Sequence, residues 1–352
     1  MPGLVVGEVN GCANPRVFFV HRTTGVLSDP FELKYSVINL TGATPSTTIA
    51  ETTVNLAACP VGSKVGLGRF APPIDTTSYT VGTYEVRWKY KSVSTSDYHT
   101  ARQRFEVLDA TKFLEGDEYV GYVTTKQLQN WGFAQTVAEL QDLINIASRR
   151  VERLTGRFFE PRFLDMIVSS RGNRMQTFDQ PIIAIESADI QATSLAGTIE
   201  VIPIDPSVIQ VFNRHLGGLL SPDDRDDPKI QFVDAWATAD TATLPPVLTF
   251  PRGVLNIHVP GVYGYTDPDG SPMGETPVEL SRAVAMLVAQ AAISPVSSGS
   301  GSGGGLIKSA RTRDQAVTYF GPTEGGGSNL TGNREIDDIL ISYARPAQLG
   351  AV

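Results

Sequence analysis

Apolar and polar residues alternate along three stretches of the first hundred positions. Phe31, Leu33, Tyr35 and Val37 are separated by polar neighbours, as are Tyr84, Val86, Trp88 and Tyr90, and more briefly Phe105 and Val107. A period of two puts one set of side chains on one face of an extended chain, so each stretch predicts a half-buried strand. Turn formers separate them: Ser28-Asp29-Pro30, Thr41-Gly42, Ala71-Pro72-Pro73 and Val81-Gly82. No helix-period segment interrupts residues 16–108. The pattern predicts a β-sandwich over residues 1–110, with 111–120 as a linker.

The period then changes to 3.6. Thr124 or Thr125 is placed to cap a short helix over about 124–131, stopped by Gly132. Thr136-Val137-Ala138-Glu139 is a capping box, in which the Thr hydroxyl and the Glu carboxylate each take the other residue's amide. Leu140, Leu143, Ile144, Ala147, Val151 and Leu154 follow as one stripe, and Gly156 suits a left-handed helix end, giving a helix over 137–155. Residues 158–270 return to strand character, with strands expected at 163–168, 182–185, 199–204, 208–212, 230–233 and 254–259. Thr276-Pro277-Val278-Glu279 opens a helix over 277–293, striped by Leu280, Ala283, Val284, Leu287, Val288 and Ala291. Ala316–Phe320 reads as a strand, and Asn333 caps a last helix over 334–345. The fold class expected is α+β and multidomain: a sandwich, then a small helical core carrying a large β-rich insertion.

Composition fits this outline. Glycine and proline number 33 and 23 of 352 residues, which suits a loop-rich chain. Hydrophobic residues make up 41%, enough for real cores, so whole-chain disorder is excluded. The net charge of −8 argues against a large nucleic-acid-binding surface. Two cysteines, Cys12 and Cys59, are too few for a disulfide scaffold and lack metal-ligand spacing. No run of 18 apolar residues is present, and the N-terminus lacks a basic signal-type segment, so the expectation is a protein made and kept in a cytoplasm.

Candidate chemistry is sparse. His21, His99, His215 and His258 lie outside metal-motif spacing, and no nucleophile elbow, phosphate loop or kinase motif occurs. Gly66-Leu67-Gly68 reads as a turn or bulge. Asp223, Asp224, Asp226 and Asp227 have oxygens suited to a hard cation but lack the glycine and distal glutamate of a calcium loop. Asp267 and Asp269 resemble half a calcium loop, but a Pro/Asp/Gly turn explains them better. No catalytic residue, metal site or cofactor is expected. Arg149, Arg153 and Arg157 recur every four residues beside Arg150, a basic patch suited to carboxylates of a neighbouring protein or to Asp142 and Glu152 of its own helix, with DNA a third option for which a patch this size predicts only weak, salt-sensitive binding. The stretch Ser297–Gly305, with Ser297, Gly299, Gly301, Gly303 and Gly305, is a flexible Gly/Ser tether reaching about 15–18 Å. A second mobile stretch is expected at 321–332.

Several of these pieces resemble one family. Val123-Thr124-Thr125-Lys126-Gln127-Leu128, then Leu143-Ile144-Asn145-Ile146-Ala147-Ser148 and Leu154-Thr155-Gly156-Arg157-Phe158-Phe159, are similar to the opening of tailed-bacteriophage head–tail connector (adaptor) proteins. There a short helix precedes a longer one ending in a Thr-Gly-Arg-like turn. Gln180-Pro181-Ile182-Ile183-Ala184-Ile185 and the run from Phe250-Pro251-Arg252-Gly253 through Val259-Pro260-Gly261-Val262-Tyr263-Gly264 resemble the family's β insertion. The helix from Pro277 resembles its second core helix, and Thr318-Tyr319 with Asn333–Tyr343 its closing strand and helix. The resemblance spans about residues 120–346. Ahead of it, Gly66–Phe70 and Val81–Trp88 resemble immunoglobulin-like modules of phage particles, without the paired cysteines of antibody domains.

The resemblance implies a structural virion protein and not an enzyme. It implies a ring of copies, commonly twelve, beneath the portal protein of the head, extending the DNA channel and docking a stopper or tail-completion protein. DNA would pass without sequence-specific binding, helped by an acidic wall, and no membrane is involved. Arg149, Arg153 and Arg157 would meet a neighbouring copy. The last helix, with Arg334, Ile336, Ile339, Leu340, Tyr343 and Arg345, would meet the portal, and the Gly/Ser tether would order on assembly. The N-terminal module would touch capsid or an outer neck protein. The place implied is the virion neck, after assembly in the host cytoplasm. The alternative is a tail or particle-surface adhesion protein whose sandwich binds a host surface, for which Tyr79 and Tyr98 are the candidate aromatics.

Overall fold

The computed structural model of the chain describes residues 3–6, 9–10, 15–19, 26–56, 64–114, 118–193, 199–205, 208–212, 225–232, 249–269, 273–293, 309–311, 316–318 and 330–344. Cys12, Cys59, His21, His215, Asp223, Asp224, the tether 297–305, residues 321–329 and Arg345 lie outside them.

The N-terminal part holds β1 (Gly3–Val5), β2 (Val9–Asn10), β3 (Val17–Phe18), β4 (Glu32–Asn39), β5 (Ser46–Thr53), β6 (Lys64–Gly66), β7 (Arg69–Phe70), β8 (Ile74–Asp75), β9 (Gly82–Lys91) and β10 (His99–Leu108). One sheet has the order β1-β10-β9-β4-β5, antiparallel except that β1 runs parallel to β10. Smaller sheets pair β3-β7-β6 and β2-β8. The alternation read from sequence is the buried face: Leu33, Tyr35 and Val37 of β4 and Tyr84, Val86 and Trp88 of β9 lie inside. Phe31 breaks the pattern. It precedes the strand, and its ring is 58% exposed. The tight turn into β7 needs Gly68, whose φ of +61° favours glycine and whose missing Cβ would stand 2.7 Å from the Phe19 carbonyl.

The helices are α1 (Thr125–Asn130), α2 (Val137–Thr155), α3 (Val278–Ile293) and α4 (Arg334–Tyr343). Thr124 caps α1 in a capping box with Gln127, and Thr136 caps α2 in one with Glu139. Gly156 ends α2 at φ 68°, ψ 16°. Asn333 caps α4 by accepting the Glu335 amide. The Thr276 hydroxyl, just before α3, donates to the Phe159 carbonyl at 2.9 Å and so ties that helix to the end of α2.

Between α2 and α3 run β11 (Arg162–Ser170), β12 (Met175–Thr177), β13 (Ile182–Ile185), β14 (Ala188–Thr193), β15 (Ile199–Ile204), β16 (Ile209–Val211), β17 (Lys229–Phe232) and β18 (Gly253–Tyr263). Here β11-β18-β14-β15 form one sheet, with β13 also on β18, and β12-β17-β16 form another. A hairpin of β19 (Ser309–Arg311) and β20 (Ala316–Thr318) follows α3. The fold is α+β, dominated by open sheets with few helices. β12 and β14 lie outside the strands expected from the sequence. β12 has three residues, too few to show a period, whereas β14 reads Ala-Asp-Ile-Gln-Ala-Thr, an alternation whose Ala188 and Ile190 are buried.

Three apolar clusters form. One joins the N-terminal strands but also takes in Ile183, Ala184, Val262 and Met273 from much later in the chain. A second gathers all four helices with Leu108, Phe113, Tyr119, Val120, Tyr122 and Val123. The third fills the space under β11–β18 with Ile182, Ile190, Phe232, Phe250, Ile257 and Tyr263. The span 111–120, read from sequence as a linker, thus contributes Phe113, Tyr119 and Val120 to the helical core.

Candidate interaction surfaces

Helix α2 buries Leu140, Ile144, Ala147 and Val151 and turns Arg149, Arg150 and Arg153 to solvent. Arg149 donates to the Glu118 carbonyl and to Asn145 Oδ1, and Arg150 to the Leu330 carbonyl at 3.0 Å. Arg157 does not share this face. The helix stops at Thr155, and the left-handed Gly156 turns the chain, so Arg157 points inward and is 4% exposed. Its guanidinium lies 2.9 Å from Asp226 and stands over the Tyr265 ring at 4.8 Å. Arg225 stands over the same ring at 4.3 Å and pairs with Asp267 at 2.5 Å. Cations over an aromatic face are attracted by its quadrupole, and two of them on one ring require counter-charges. Asp226 and Asp267, weighed as cation ligands above, are those counter-charges. Asp227 pairs with Lys229 at 3.0 Å. Among the described residues no group of three or more His, Cys, Asp or Glu side chains is arranged to hold a metal.

The C-terminal helix faces largely inward. Ile336 and Leu340 are buried, and Ile339 and Tyr343 pack partly against the same core. The Tyr343 ring meets Phe159 and Tyr265 edge-on at 5.8 and 5.6 Å, and burial first, then the Glu279 charge, pushes its phenol up to about 12. Asp337 accepts the Leu330 and Thr331 amides at 3.0 and 2.9 Å and fixes the approach to α4. Arg334, 95% exposed at its side chain, reaches into solvent and sits 3.8 Å from Asp338.

Sequence patterns gave no sign of the joint between the N-terminal sheet and the helices. Glu106 of β10 is wholly buried. It accepts the Thr83 hydroxyl at 2.8 Å, the Thr125 amide and hydroxyl at 3.1 Å each, and Gln141 Nε2 at 3.1 Å. Gln141 also donates to the Val107 carbonyl at 2.9 Å. One carboxylate so ties β9, β10, α1 and α2. Burial, opposed by these hydrogen bonds, pushes its pKa above the ordinary 4.5. The partners sit at 83, 125 and 141, with no local spacing to betray them. Farther on, Arg69 of β7 pairs with Glu186 at 3.0 Å and stands 4.0 Å over Phe163, tying the N-terminal part to the insertion.

A second feature without a local signal is the start of β18. Val168 pairs with Ile257 and Ser170 with Gly253, so three residues of β18 oppose one of β11. The surplus forms a bulge whose Leu255 has φ 47°, the positive-φ residue other than glycine among the described residues. Val254 and Leu255 are 84% and 61% exposed. Elsewhere, His258 Nε2 contacts Asp165 and its Nδ1 lies 3.4 Å from Asp189. Tyr98 is exposed between Lys34 and Lys91, whereas Tyr79 is buried and stacked on Tyr84 at 4.9 Å.

No protein-family model and no curated protein matches the chain. Eight chains of solved structures match. One is described as "Neck of empty GTA particle computed with C6 symmetry": it is 18% identical, covers 52% of this chain and 83% of its own, and has a TM-score of 0.32. Among the described residues no helix is long and apolar enough to cross a membrane.

Proposed function

We propose that this chain is a structural subunit of the neck of a tailed-phage particle: an adaptor ring between the portal vertex and the stopper or tail that continues the DNA channel. The observation that carries this reading is the gathering of the helices. α1, α2, α3 and α4 meet in one apolar cluster although a long β-rich segment separates α2 from α3, which is the element order of the adaptor family that the sequence resembles. In this reading the N-terminal strands are an immunoglobulin-like module, the helices are the connector core and residues 158–270 are its insertion.

The role is mechanical, with no catalytic residue and no cofactor. A ring, commonly of twelve copies, needs one face of each subunit to meet a different face of the next. Arg149 and Arg153, both exposed on α2, suit such a contact, and Arg334 suits the portal side. A net charge of −8 favours passage of DNA over adhesion to it. Of the two aromatics that would favour host adhesion, Tyr79 is buried, and no second reading is advanced.

The test is the mass of the full chain alone and mixed with the portal protein of its own particle, by light scattering. A large complex of fixed stoichiometry on portal is expected. A chain that stays monomeric in the presence of portal overturns the proposal.

A further inference from the structure

The bulge at the start of β18 is held open by its own polar frame. The Leu255 amide donates to Ser169 Oγ at 2.9 Å, Asn256 Oδ1 accepts the Ser170 amide at 3.1 Å, and Asn256 Nδ2 donates to the Pro251 carbonyl at 2.7 Å. Ser170 and Asn256 are buried, so the frame is part of the fold. Its product is a leucine in the left-handed region, which side chains rarely adopt, and two aliphatic side chains aimed at water. Folding alone gains nothing from either. Arg171 and Arg252 flank this tip, both exposed and neither in an ion pair among the described residues. In a chain of net charge −8, that is a basic, apolar knob.

The opposite end of the molecule carries a surface of matching character. β18 runs eleven residues from the bulge to Tyr263, about 33 Å at strand rise, and delivers the chain to Tyr265 beside Tyr343 of α4. There α3 and α4 are joined by Arg282–Glu335 at 2.5 Å and by the Tyr343 hydroxyl to Glu279 at 3.4 Å. Around these contacts Val278 and Ile341 are 72% and 49% exposed, beside Glu279, Glu335 and Asp338, of which Glu335 and Asp338 also face Arg282 and Arg334 while Glu279 meets no cation among the described residues. The two surfaces lie too far apart to meet within one chain. They suit each other across two copies, and a knob at one end with its seat at the other is a heterologous contact that propagates from copy to copy.

We infer that the Val254–Leu255 bulge, flanked by Arg171 and Arg252, docks on the α3–α4 face of a second copy of this chain. This inference rests on the ring reading and names its contact. The aliphatic pair supplies the desolvated centre, and the arginines supply the polar rim facing carboxylates.

The test uses the full chain, alone and with portal, and reads assembly by sedimentation velocity in the condition where the unaltered chain assembles. Arg171→Glu with Arg252→Glu is expected to weaken assembly by about 30-fold or more, as is Glu279→Arg with Asp338→Arg. Mixing the two variants restores it, because each reversed knob then meets a reversed seat. Leu255→Gly separates docking from folding: it relieves the backbone, so the melting temperature holds or rises while assembly weakens. Assembly that survives reversal of the knob overturns this inference and leaves the ring reading standing. A chain that assembles in neither condition overturns both.

Discussion

Glu106 and Arg157 both take an ionisable group out of water, and the fold treats them in opposite ways. Glu106 sits between the N-terminal sheet and the helices, and the partners that hold it are neutral: two hydroxyls, an amide and a carboxamide. Arg157 sits between the helices and the insertion, against a full counter-charge and an aromatic face. Depth explains the difference. The Asp226 side chain is 63% exposed, so water shares in neutralising the Arg157 pair. Glu106 is wholly buried, and each donor removed leaves another polar group buried and unmatched. The first joint is fixed by geometry, the second by charge.

The largest effect is expected at the deep joint. Glu106→Ala strands Thr83, Thr125 and Gln141 in a cavity and should lower stability by about 2–4 kcal/mol, read as a shift of the urea midpoint at constant slope. Next comes pH. Because burial raises the folded-state pKa of Glu106 above 4.5, its contribution is fully present below that ordinary value. It is lost as pH rises through the folded-state value, since the unfolded chain ionises first. Glu106→Gln removes this titration, so the stability difference between wild type and variant should change with pH in that interval and be flat below it. A flat difference throughout would show that Glu106 ionises as freely inside as outside. Arg157→Met keeps an apolar stem but loses the guanidinium over Tyr265 and its pairing with Asp226, and should cost about 1–2 kcal/mol at low salt and less in 1 M salt. Asp226→Asn should be smallest, about 0.5 kcal/mol. If Arg157→Met proved costlier than Glu106→Ala, the contrast between the joints would fail.

What was legible in the sequence was local. Thr136 with Glu139, Gly156, and Asn333 announce helix ends because each cap is made within a few residues. Leu33, Tyr35, Val37, Tyr84, Val86 and Trp88 announce strands for the same reason. The arginine series shows the limit of periodicity: Arg149 and Arg153 share a face, but the spacing cannot carry past Gly156, where helical geometry ends. The apolar positions of α4 mark its inner face as readily as a docking face, and Ile336 and Leu340 are spent on the core. Phe113, Tyr119 and Val120 lie in a stretch without period, so nothing local distinguished a core segment from a linker. Glu106, the Val254–Leu255 bulge and the Arg225–Asp267 pair depend on residues tens of positions apart, and no spacing rule reaches that far.

The parallel pairing of β1 with β10 sets an order of events in folding. The first strand finds its partner roughly a hundred residues downstream, and loop closure over that span precedes any gain from the contact. The cluster under the same sheet is completed later still, by Ile183, Ala184, Val262 and Met273. During synthesis, Phe18, whose amide donates to Met273 Sδ at 3.4 Å, therefore waits for its partner until the insertion has been made, and the N-terminal part of the chain is among the last to become fully native.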